Sequence, residues 1–287
     1  RPKHETETGV VQTTWFGPPR LLEFRMMSVS PAVTPEPVNL SYSPDPVGPA
    51  GRIGLITLAT DFNSEDDLRG ILPADVRLFT TRIENANPVT VDNLRAMAND
   101  LPRAARTLLP GYGVDVAIFG CTSGTAVTGS DKIAALINQG MPGVSVTNPL
   151  LAGELALKAV GAQKIAIVTP YVADVTRSVA DGFIDKGFTT TRVMGFGLDN
   201  DFDMTALPPD AILKAALNAD TPDADAVFIS CTAIRSAEIA AQAEQQLGKP
   251  VITSNQALIW HALHLMKYTK PVTGFGTLFD HAPQPLK

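Results

Sequence analysis

Short runs of β-branched and aliphatic residues alternate along the chain with longer stretches whose apolar residues recur at helical spacing. In the first half, the short runs predict four strands, at Ile53–Ile56, Val76–Thr80, Val114–Phe119 and Gly143–Val146. The helical spacing predicts helices over Thr90–Leu109 and Ser130–Asn138. Strands that alternate with helices in this way are typical of βαβ units on a parallel sheet.

The second half repeats this alternation. Its predicted strands are Lys164–Thr169, Thr191–Phe196, Ala226–Ile229 and Val251–Thr253, and its predicted helices are Ala173–Lys186, Pro209–Asn218 and Ser236–Leu247. A closing helix, Asn255–Leu265, is expected to return and pack on the first half. The prediction is an α/β fold with two pseudosymmetric Rossmann-like domains, each a parallel sheet flanked by helices, with the active site in the interdomain cleft. We place the first domain at residues 51–147 and 256–287 and the second at residues 148–255.

Residues 1–50 are rich in Pro, Ser and Thr and are predicted to form an N-terminal arm. The segment Ser43–Pro49 cannot sustain a helix or a central strand, because three of its residues are prolines. Trp15, Phe16 and the run Leu21–Met27 carry enough apolar surface to dock on the body or on a neighbouring subunit. We therefore expect a homo-oligomer, a dimer or larger.

Composition narrows the classes of function. The chain has 287 residues, a net charge of -6, 45% hydrophobic residues and 18% charged residues, which is ordinary for a globular enzyme. The sequence has no concentrated run of Lys and Arg of the kind that binds nucleic acid or an anionic membrane. The apolar stretches are far shorter than the roughly 20 residues that span a bilayer. We expect a cytoplasmic protein with no membrane contact.

The candidate chemistry lies in two matching turns that follow two buried strands. The segments 116–123 and 226–233 can be laid on each other, and both read strand, small residue, Cys, Thr, small residue. Open parallel sheets bind their ligands at the carboxyl ends of the strands, where Cys121 and Cys231 stand. Backbone N–H groups after each cysteine favour a thiolate and a substrate carboxylate. Two free thiols are expected, since a reducing cytosol disfavours a disulfide.

Two thiols on opposite sides of one carbon support two reactions. In racemisation, one thiolate removes the proton α to a carboxylate and the other thiol delivers a proton to the opposite face. In cis-trans isomerisation, a thiolate adds to an activated alkene, the single bond rotates and the adduct collapses. Thr122 and Thr232 add hydroxyl donors, while Ser123 and Ala233 are small enough for an anion to approach. The alternative is that both cysteines are small core residues; the duplicated context favours function.

At these residues the sequence resembles the Asp/Glu racemase superfamily, and within it the maleate cis-trans isomerase group and the ectoine-utilisation proteins of the A type. The likeness spans Arg52 to about Phe279. Its carriers are residues 52–56, 59–65, 119–124, 168–171, 229–235 and 250–257. The resemblance implies a substrate bound between two α/β domains and catalysis by Cys121 and Cys231 without a cofactor.

The resemblance also implies substrate-binding residues. A tyrosine of the family's Thr-Pro-Tyr turn matches Tyr171, and an asparagine of the second half corresponds to Asn200. The family's asparagine after the first strand falls on Asp61 or Asn63, depending on a gap, in a segment that also contains Thr60. With Asp61 at that position, a dianionic substrate is disfavoured, whereas an ammonium or a protonated ring nitrogen is favoured.

Departures from the family's branches limit the reaction. Ala233 and Ile234 stand where amino-acid racemases with a Cys-Thr-His turn carry a histidine, so a plain glutamate racemase is not expected. Arylmalonate decarboxylases keep one catalytic cysteine in the second half, so the presence of both argues against decarboxylation. The substrate is expected to be a small carboxylate that is aspartate-like, maleate-like or ectoine-derived. The alternatives are a binding or sensor protein that kept the cleft and lost turnover, or a cofactor-independent decarboxylase.

No metal site is expected. His261 and His264 are spaced like a ligand pair on one helix face, but no third ligand accompanies them. The acidic residues 65–67 are better suited to the first turn of a helix. Arg82, Glu84 and Arg235 are interpreted as residues of ordinary ion pairs that could also border the site.

Overall fold

Two parallel β-sheets of four strands each form the centre of the protein. This computed structural model describes residues 37–283. The first sheet contains β1 Gly51–Leu58, β2 Val76–Ile83, β3 Val116–Phe119 and β4 Ser145–Thr147, and the second contains β5 Lys164–Tyr171, β6 Thr189–Leu198, β7 Ala226–Ile229 and β8 Val251–Thr253. The strand orders are β2-β1-β3-β4 and β6-β5-β7-β8. The second sheet thus repeats the first, which confirms the predicted duplicated α/β architecture.

Helices surround both sheets. They are α1 Ser64–Ile71, α2 Val91–Met97, α3 Leu101–Arg106, α4 Thr122–Thr128, α5 Ser130–Gly140, α6 Pro149–Ala159, α7 Ala173–Ile184, α8 Asp201–Thr205, α9 Pro209–Ala219, α10 Ala240–Leu247 and α11 Ser254–Leu265. The acidic residues 65–67 occupy the first turn of α1, as predicted. Thr253 and Gln256 form a capping box that begins α11, and the Asn148 side chain caps α6.

The strands that precede the two cysteines are fully buried. Every residue of β3 and of β7 is buried, and each strand is a continuous apolar run because helices cover both faces of its sheet. In register, Ile53 lies opposite Val116 in the first sheet, and Ile165 lies opposite Ala226 in the second. The carboxyl ends of β3 and β7 therefore occupy equivalent places in the two sheets.

Helix α6, which follows β4, packs against the second sheet, and helix α11, which follows β8, packs against the first. In α6, a Cβ atom on Gly153 would lie 2.8 Å from the Phe228 ring, so only glycine lets this helix pack against β7 of the second half. In α11, Nδ1 of His261 lies 2.8 Å from Oγ1 of Thr147 in β4 of the first half. The return of α11 to the first half was predicted and is confirmed. The domain boundaries drawn from the sequence stay a prediction.

Two predicted helices are broken. The stretch predicted as one helix over Thr90–Leu109 forms α2, a 3₁₀ turn at Ala98–Asp100, and then α3. Pro102 lies in the first turn of α3, and because it has no N–H it cannot continue the hydrogen bonds of α2. Similarly, the helix predicted over Ser236–Leu247 starts as a 3₁₀ turn and becomes α10 only at Ala240.

The predicted arm falls largely outside the described part of the chain. Residues 37–47 are exposed and have no regular secondary structure. Trp15, Phe16 and Leu21–Met27 lie outside the described residues, so the expected homo-oligomer stays a prediction. Within residues 37–283, none of the helices combines the length and apolar character needed to cross a bilayer.

Candidate active site

A narrow, partly enclosed cavity lies where the carboxyl ends of the two sheets meet. Its volume is about 20 Å³, which is room for about one water molecule. Both halves line it. The residues that carry polar groups or thiols are Asp61, Asn85, Asn93, Cys121, Thr122, Ser123, Tyr171, Asp201, Cys231 and Thr232, and the remaining walls are Leu58, Ala86, Val89, Leu94, Met97 and Ala233. The lining offers both polar and apolar contacts, and a ligand larger than a water molecule requires the walls to move apart.

Cys121 is positioned by the start of α4. Its backbone is extended, with φ of -150°, and it is the N-cap of α4: its Sγ accepts a hydrogen bond of 3.3 Å from the N–H of Gly124. The Ser123 hydroxyl lies 3.6 Å from the same sulfur. A Cβ atom on Gly124 would lie 3.0 Å from that sulfur and would also collide with Met97. The glycine therefore allows the sulfur to lie directly against the helix backbone.

Cys231 is held in a different way. Its φ is +100°, a backbone conformation that residues other than glycine rarely adopt. Its N–H donates to Oγ of Ser254 at 3.1 Å, and its Sγ accepts from the N–H of Ala233 at 3.3 Å. Tyr171 lines the cavity together with this sulfur. No helix follows directly, because the first helical turn begins at Ala237. The matching turns predicted from the sequence thus have different local structures.

The hydroxyls of both turn threonines connect the two halves. Oγ1 of Thr232 donates to the carbonyl oxygen of Gly120 at 2.9 Å, and Oγ1 of Thr122 lies 2.9 Å from Oγ of Ser254. A hydroxyl has one hydrogen, so the Thr232 hydroxyl cannot donate to a ligand while it holds Gly120. Both threonines line the cavity. Their hydroxyls, which were predicted to donate to a substrate, instead form hydrogen bonds within the protein that link the two halves.

Burial favours the neutral form of both thiols. Burial raises the pKa of both Cys121 and Cys231 to about 12. Hydrogen bonds from the N–H groups of Gly124 and Ala233 act to lower these pKa values. Burial also raises the pKa of Tyr171, and the neighbouring thiols add to this. A thiolate at neutral pH would require a change in these surroundings, such as the arrival of a ligand. The two cysteines are free thiols, as predicted.

Asp61 is fully occupied by its own loop. Oδ1 accepts hydrogen bonds of 2.8 Å from the N–H groups of Asn63 and Ser64. Oδ2 accepts from the hydroxyls of Thr57, at 2.8 Å, and Ser64. A carboxylate has about four acceptor positions, and here the loop between β1 and α1 supplies four donors. Asp61 borders the cavity, but its acceptor positions are already in use.

Asp201 has spare capacity. It is 6% exposed, and its Oδ2 accepts hydrogen bonds from Oγ1 of Thr60 at 2.5 Å and from Nδ2 of Asn85 at 2.9 Å. Its Oδ1 receives no hydrogen bond from the residues that the structure describes. Burial raises the pKa of Asp201, whereas Thr60 and Asn85 act in the opposite direction.

The structure brings together eight of the predicted site residues around the cavity: Asp61, Cys121, Thr122, Ser123, Tyr171, Cys231, Thr232 and Ala233. Thr60, Asn63 and Asn200 do not line it. Thr60 supports Asp201 from behind, and Asn63 donates from Nδ2 to the carbonyl oxygens of Thr232 and Ile234 at 3.2 and 3.0 Å. Asn200 caps α8, since its side chain accepts from the N–H of Phe202 at 2.8 Å.

Sequence reasoning missed Asn85 and Asp201. Both follow outer strands, β2 and β6, at the same carboxyl edge as the cysteines. The rule that parallel sheets bind ligands at this edge would have pointed to both. It also missed the apolar wall from Val89 and from Leu94 and Met97 of α2. The N–H of Val89 donates to the carbonyl oxygen of Asp199 at 2.6 Å, which joins this wall to the second half.

The remaining candidates have structural partners. Arg82 donates to the carbonyl oxygens of Leu58 and Asp61 at 3.0 and 2.8 Å and pairs with Glu65 at 2.5 Å, so it braces the loop after β1. Arg235 donates to the carbonyl oxygen of Leu207 at 3.3 Å. Among the described residues, no group of three His, Cys, Asp or Glu side chains could hold a metal ion.

Comparisons with known proteins agree with this architecture. A family model described as arylmalonate decarboxylase matches residues 90–279, more than half of the chain. The arylmalonate decarboxylase of Bordetella bronchiseptica is 25% identical over 226 residues, which cover 74% of this chain and 93% of that protein. The maleate isomerase of Geobacillus stearothermophilus is 23% identical over 246 residues, which cover 80% of this chain and 97% of that protein.

Solved structures share the fold. A cysteine-to-serine mutant of the maleate cis-trans isomerase of Nocardia farcinica, with a covalently bound succinylcysteine intermediate, superposes with a TM-score of 0.74 at 22% identity. The match covers 79% of this chain and 97% of that one. The relatives are enzymes, both isomerases and a decarboxylase. The chain belongs to the arylmalonate decarboxylase family, within the Asp/Glu racemase-like superfamily that its two cysteine turns indicated.

Proposed function

We propose that the chain is an isomerase or racemase of a small carboxylate that uses Cys121 and Cys231 on opposite sides of one substrate carbon. The observation that carries this proposal is that the two sulfurs line one cavity from different halves of the chain. Each sulfur also accepts a backbone N–H at 3.3 Å, which favours a thiolate once one forms.

In the racemase route, the Cys121 thiolate takes the proton on the carbon α to the carboxylate, and the electron pair of that C–H bond remains on the substrate. The Cys231 thiol then gives its proton to the opposite face of the same carbon. Cys121 ends as a thiol and Cys231 as a thiolate, so the next turnover runs in reverse or follows proton exchange between them. The substrate gains and loses one proton, and no oxidant is needed.

In the cis-trans route, the Cys121 thiolate adds to one alkene carbon, and the Cys231 thiol protonates the neighbouring carbon. The bond between the two carbons is then single and rotates. Loss of that proton and of the Cys121 sulfur regenerates the alkene in the other geometry. The succinylcysteine intermediate described for the Nocardia farcinica enzyme supports a covalent route in a relative.

The different settings of the two cysteines support different roles. Cys121 lies at the start of α4, where the helix dipole stabilises negative charge on its sulfur. Cys231 has no helix directly after it, so no helix dipole acts on its sulfur in this way. We therefore assign the base or nucleophile to Cys121 and the acid to Cys231.

The raised pKa of both thiols supports a second candidate. A binding or sensor protein needs no thiolate, and burial favours the neutral form of both groups. For an enzyme, the bound substrate must lower the pKa of Cys121. The Bordetella bronchiseptica relative is an arylmalonate decarboxylase. Decarboxylation is less well supported for this chain, because the family resemblance implies that such decarboxylases keep a single catalytic cysteine in the second half, whereas this chain has both.

The test is proton NMR of the protein in deuterated water with maleate, aspartate, hydroxyaspartate, phenylmalonate and ectoine-breakdown products. Deuterium entering the α position, lost in both Cys121→Ser and Cys231→Ser, supports two-base racemisation. Alkene isomerisation without this exchange supports covalent addition. Release of carbon dioxide from phenylmalonate would reject the isomerase proposal and show that the protein is a decarboxylase.

Thiol alkylation separates an enzyme from a sensor. Without ligand, iodoacetamide should modify both cysteines slowly at pH 7, because buried neutral thiols are poor nucleophiles. A bound substrate should either accelerate alkylation of Cys121 or be turned over. No turnover, together with ligand binding that leaves both thiols unreactive, would reject the isomerase in favour of the sensor. The protein unfolded in urea gives the reference rate.

A further inference from the structure

The charged side chains that line the cavity are all acidic. Among the described residues that line it, there are two carboxyl groups, Asp61 and Asp201, and no Lys or Arg. Asp61 directs its oxygens to four donors of its own loop. Asp201 is therefore the carboxyl group with an acceptor available to a ligand.

Asp201 is held rigidly with one oxygen left over. Thr60 and Asn85 belong to the first half of the chain and Asp201 to the second, so their hydrogen bonds to Oδ2 cross the cavity wall between the halves. Nδ2 of Asn85 also donates to Oγ1 of Thr60 at 2.8 Å, which fixes the two donors relative to each other. Asp201 is 6% exposed as a residue, and Oδ1 has no donor among residues 37–283. Oδ1 is not fully enclosed, so it can accept a hydrogen bond from a ligand that enters the cavity.

We propose that Asp201 is a specificity-determining residue that binds the ammonium group of the substrate, which makes the substrate an amino carboxylate. This inference rests on the proposed function and narrows its substrate class. It moves the recognition of an ammonium from Asp61, where the sequence placed it, to Asp201, because only Asp201 has a free oxygen.

Charge balance supports this assignment. A dicarboxylate without an amino group would bring two more negative charges into a cavity that has no cationic side chain among its described walls. An amino carboxylate brings an ammonium that pairs with Asp201 and offsets part of this repulsion. The substrate's own charge then does what a lysine or arginine does in other carboxylate sites.

The same pairing would prepare the thiols. Burial is the main cause that raises the pKa of Cys121 and of Cys231, and the negative charge of Asp201 adds to it. An ammonium bound to Asp201 offsets that added charge, which acts to lower the pKa of both thiols.

The test compares the binding of matched acids that differ only in the amino group. Isothermal titration measures the affinity for L- and D-aspartate against succinate, and for L- and D-alanine against propionate. In the unaltered protein, an amino acid of one pair should bind roughly tenfold or more tightly than its deaminated partner. In Asp201→Asn this preference should fall to near unity, since the amide keeps the shape and removes the charge.

Asp203→Asn is the matched control, because it removes the same charge from an exposed position of the same helix. It should leave the preference unchanged. Retained binding of succinate or propionate by Asp201→Asn shows that the variant is folded, and Asp201→Ser serves if it is not. An unchanged preference in these variants overturns the inference, as does equal binding of both members of each pair or no binding by any of them.

This assay does not depend on turnover. Isomerisation or α-proton exchange that requires both cysteines, combined with no ammonium preference, would reject the role of Asp201 and leave the proposed function intact. An ammonium preference that disappears in Asp201→Asn, combined with no turnover, would support the role of Asp201 and reject the isomerase.

Discussion

The hydroxyl of Thr232 donates a 2.9 Å hydrogen bond to the carbonyl oxygen of Gly120. Thr232 directly follows one cysteine and Gly120 directly precedes the other, so this bond ties the two cysteine turns together. The spacing between the sulfurs therefore depends on a contact between the halves as well as on the fold of each half.

Replacing this threonine tests the connection. Thr232→Val keeps the shape of the side chain but leaves the buried carbonyl of Gly120 without its donor, so we expect a loss of about 1–3 kcal/mol in the free energy of unfolding. Urea denaturation measures it. Thr189→Val, at an exposed position of β6, should change stability by less than about 0.5 kcal/mol. Equal effects of the two substitutions would contradict the role of the bond.

The backbone at Cys231 predicts an unusual response to glycine. At Cys231, where φ is +100°, glycine relieves strain, so Cys231→Gly should be more stable than Cys231→Ala by about 1 kcal/mol. In the interior of a helix the order reverses, so Ala126→Gly in α4 should be less stable than the unaltered protein by about 0.5–1 kcal/mol. Thermal unfolding of these variants checks the reversal. A Cys231→Gly variant no more stable than Cys231→Ala would refute the strain at Cys231.

Gly124 is predicted to be irreplaceable. In Gly124→Ala the added carbon would lie 3.0 Å from Sγ of Cys121 and 3.4 Å from the Phe119 ring. Overpacking of this kind costs about 1–3 kcal/mol of stability. Displacement of the sulfur should also lower the turnover found by NMR on the order of 10²-fold.

Gly70→Ala is the matched control for Gly124→Ala. Gly70 also lies in a helix, α1, but an added Cβ there meets nothing within 4 Å. This substitution should stabilise the protein by about 0.5–1 kcal/mol and leave turnover unchanged. Unchanged turnover in Gly124→Ala would mean that the sulfur of Cys121 does not need its present position.

Asp67 predicts a dependence of stability on pH. Burial raises its pKa from 3.8 to about 6, although Nδ2 of Asn255 donates to it at 2.9 Å. Between about pH 4 and pH 6 the folded state holds a proton that the unfolded state has lost, so this group makes stability fall as pH rises. Asp67→Asn should be more stable than the unaltered protein at pH 7, on the order of 1 kcal/mol, and the advantage should vanish below pH 4.

The difference between the two proteins is the quantity to measure, because His261 opposes Asp67 in the same window. Burial lowers the pKa of His261 to about 4, so its contribution to stability is lost as pH falls from about 6.5 to about 4. Subtracting the urea-derived curves cancels this histidine. A difference that does not change between pH 4 and pH 7 would show that Asp67 does not titrate there.

The fold was predictable because its signals are local. The apolar runs of β3 and β7 identify the central strands, and the repeated order of elements identifies the duplication. The break at Pro102 was overlooked, although proline is a clear local signal. Helix α6 was not predicted, although Asn148 at its N-cap and Pro149 at its first position form a recognised helix start.

The site was less predictable because it depends on contacts between distant parts of the chain. The turns around Cys121 and Cys231 were found from their repeated sequence. The occupation of Asp61 by its own loop and the free oxygen of Asp201 arise from side-chain orientation, which no spacing rule contains. The left-handed backbone of Cys231 was also beyond prediction, because it breaks the symmetry that the sequence repeat suggests.

That broken symmetry has a kinetic consequence. If the chain is a racemase, its equilibrium constant is unity because mirror-image substrates have equal free energies, so kcat/KM must be the same in both directions. A helix start behind one sulfur and a left-handed turn behind the other make the two enantiomers bind to unlike environments. The inequality must then appear in kcat and KM separately, with the enantiomer that binds more tightly being converted more slowly by the same factor.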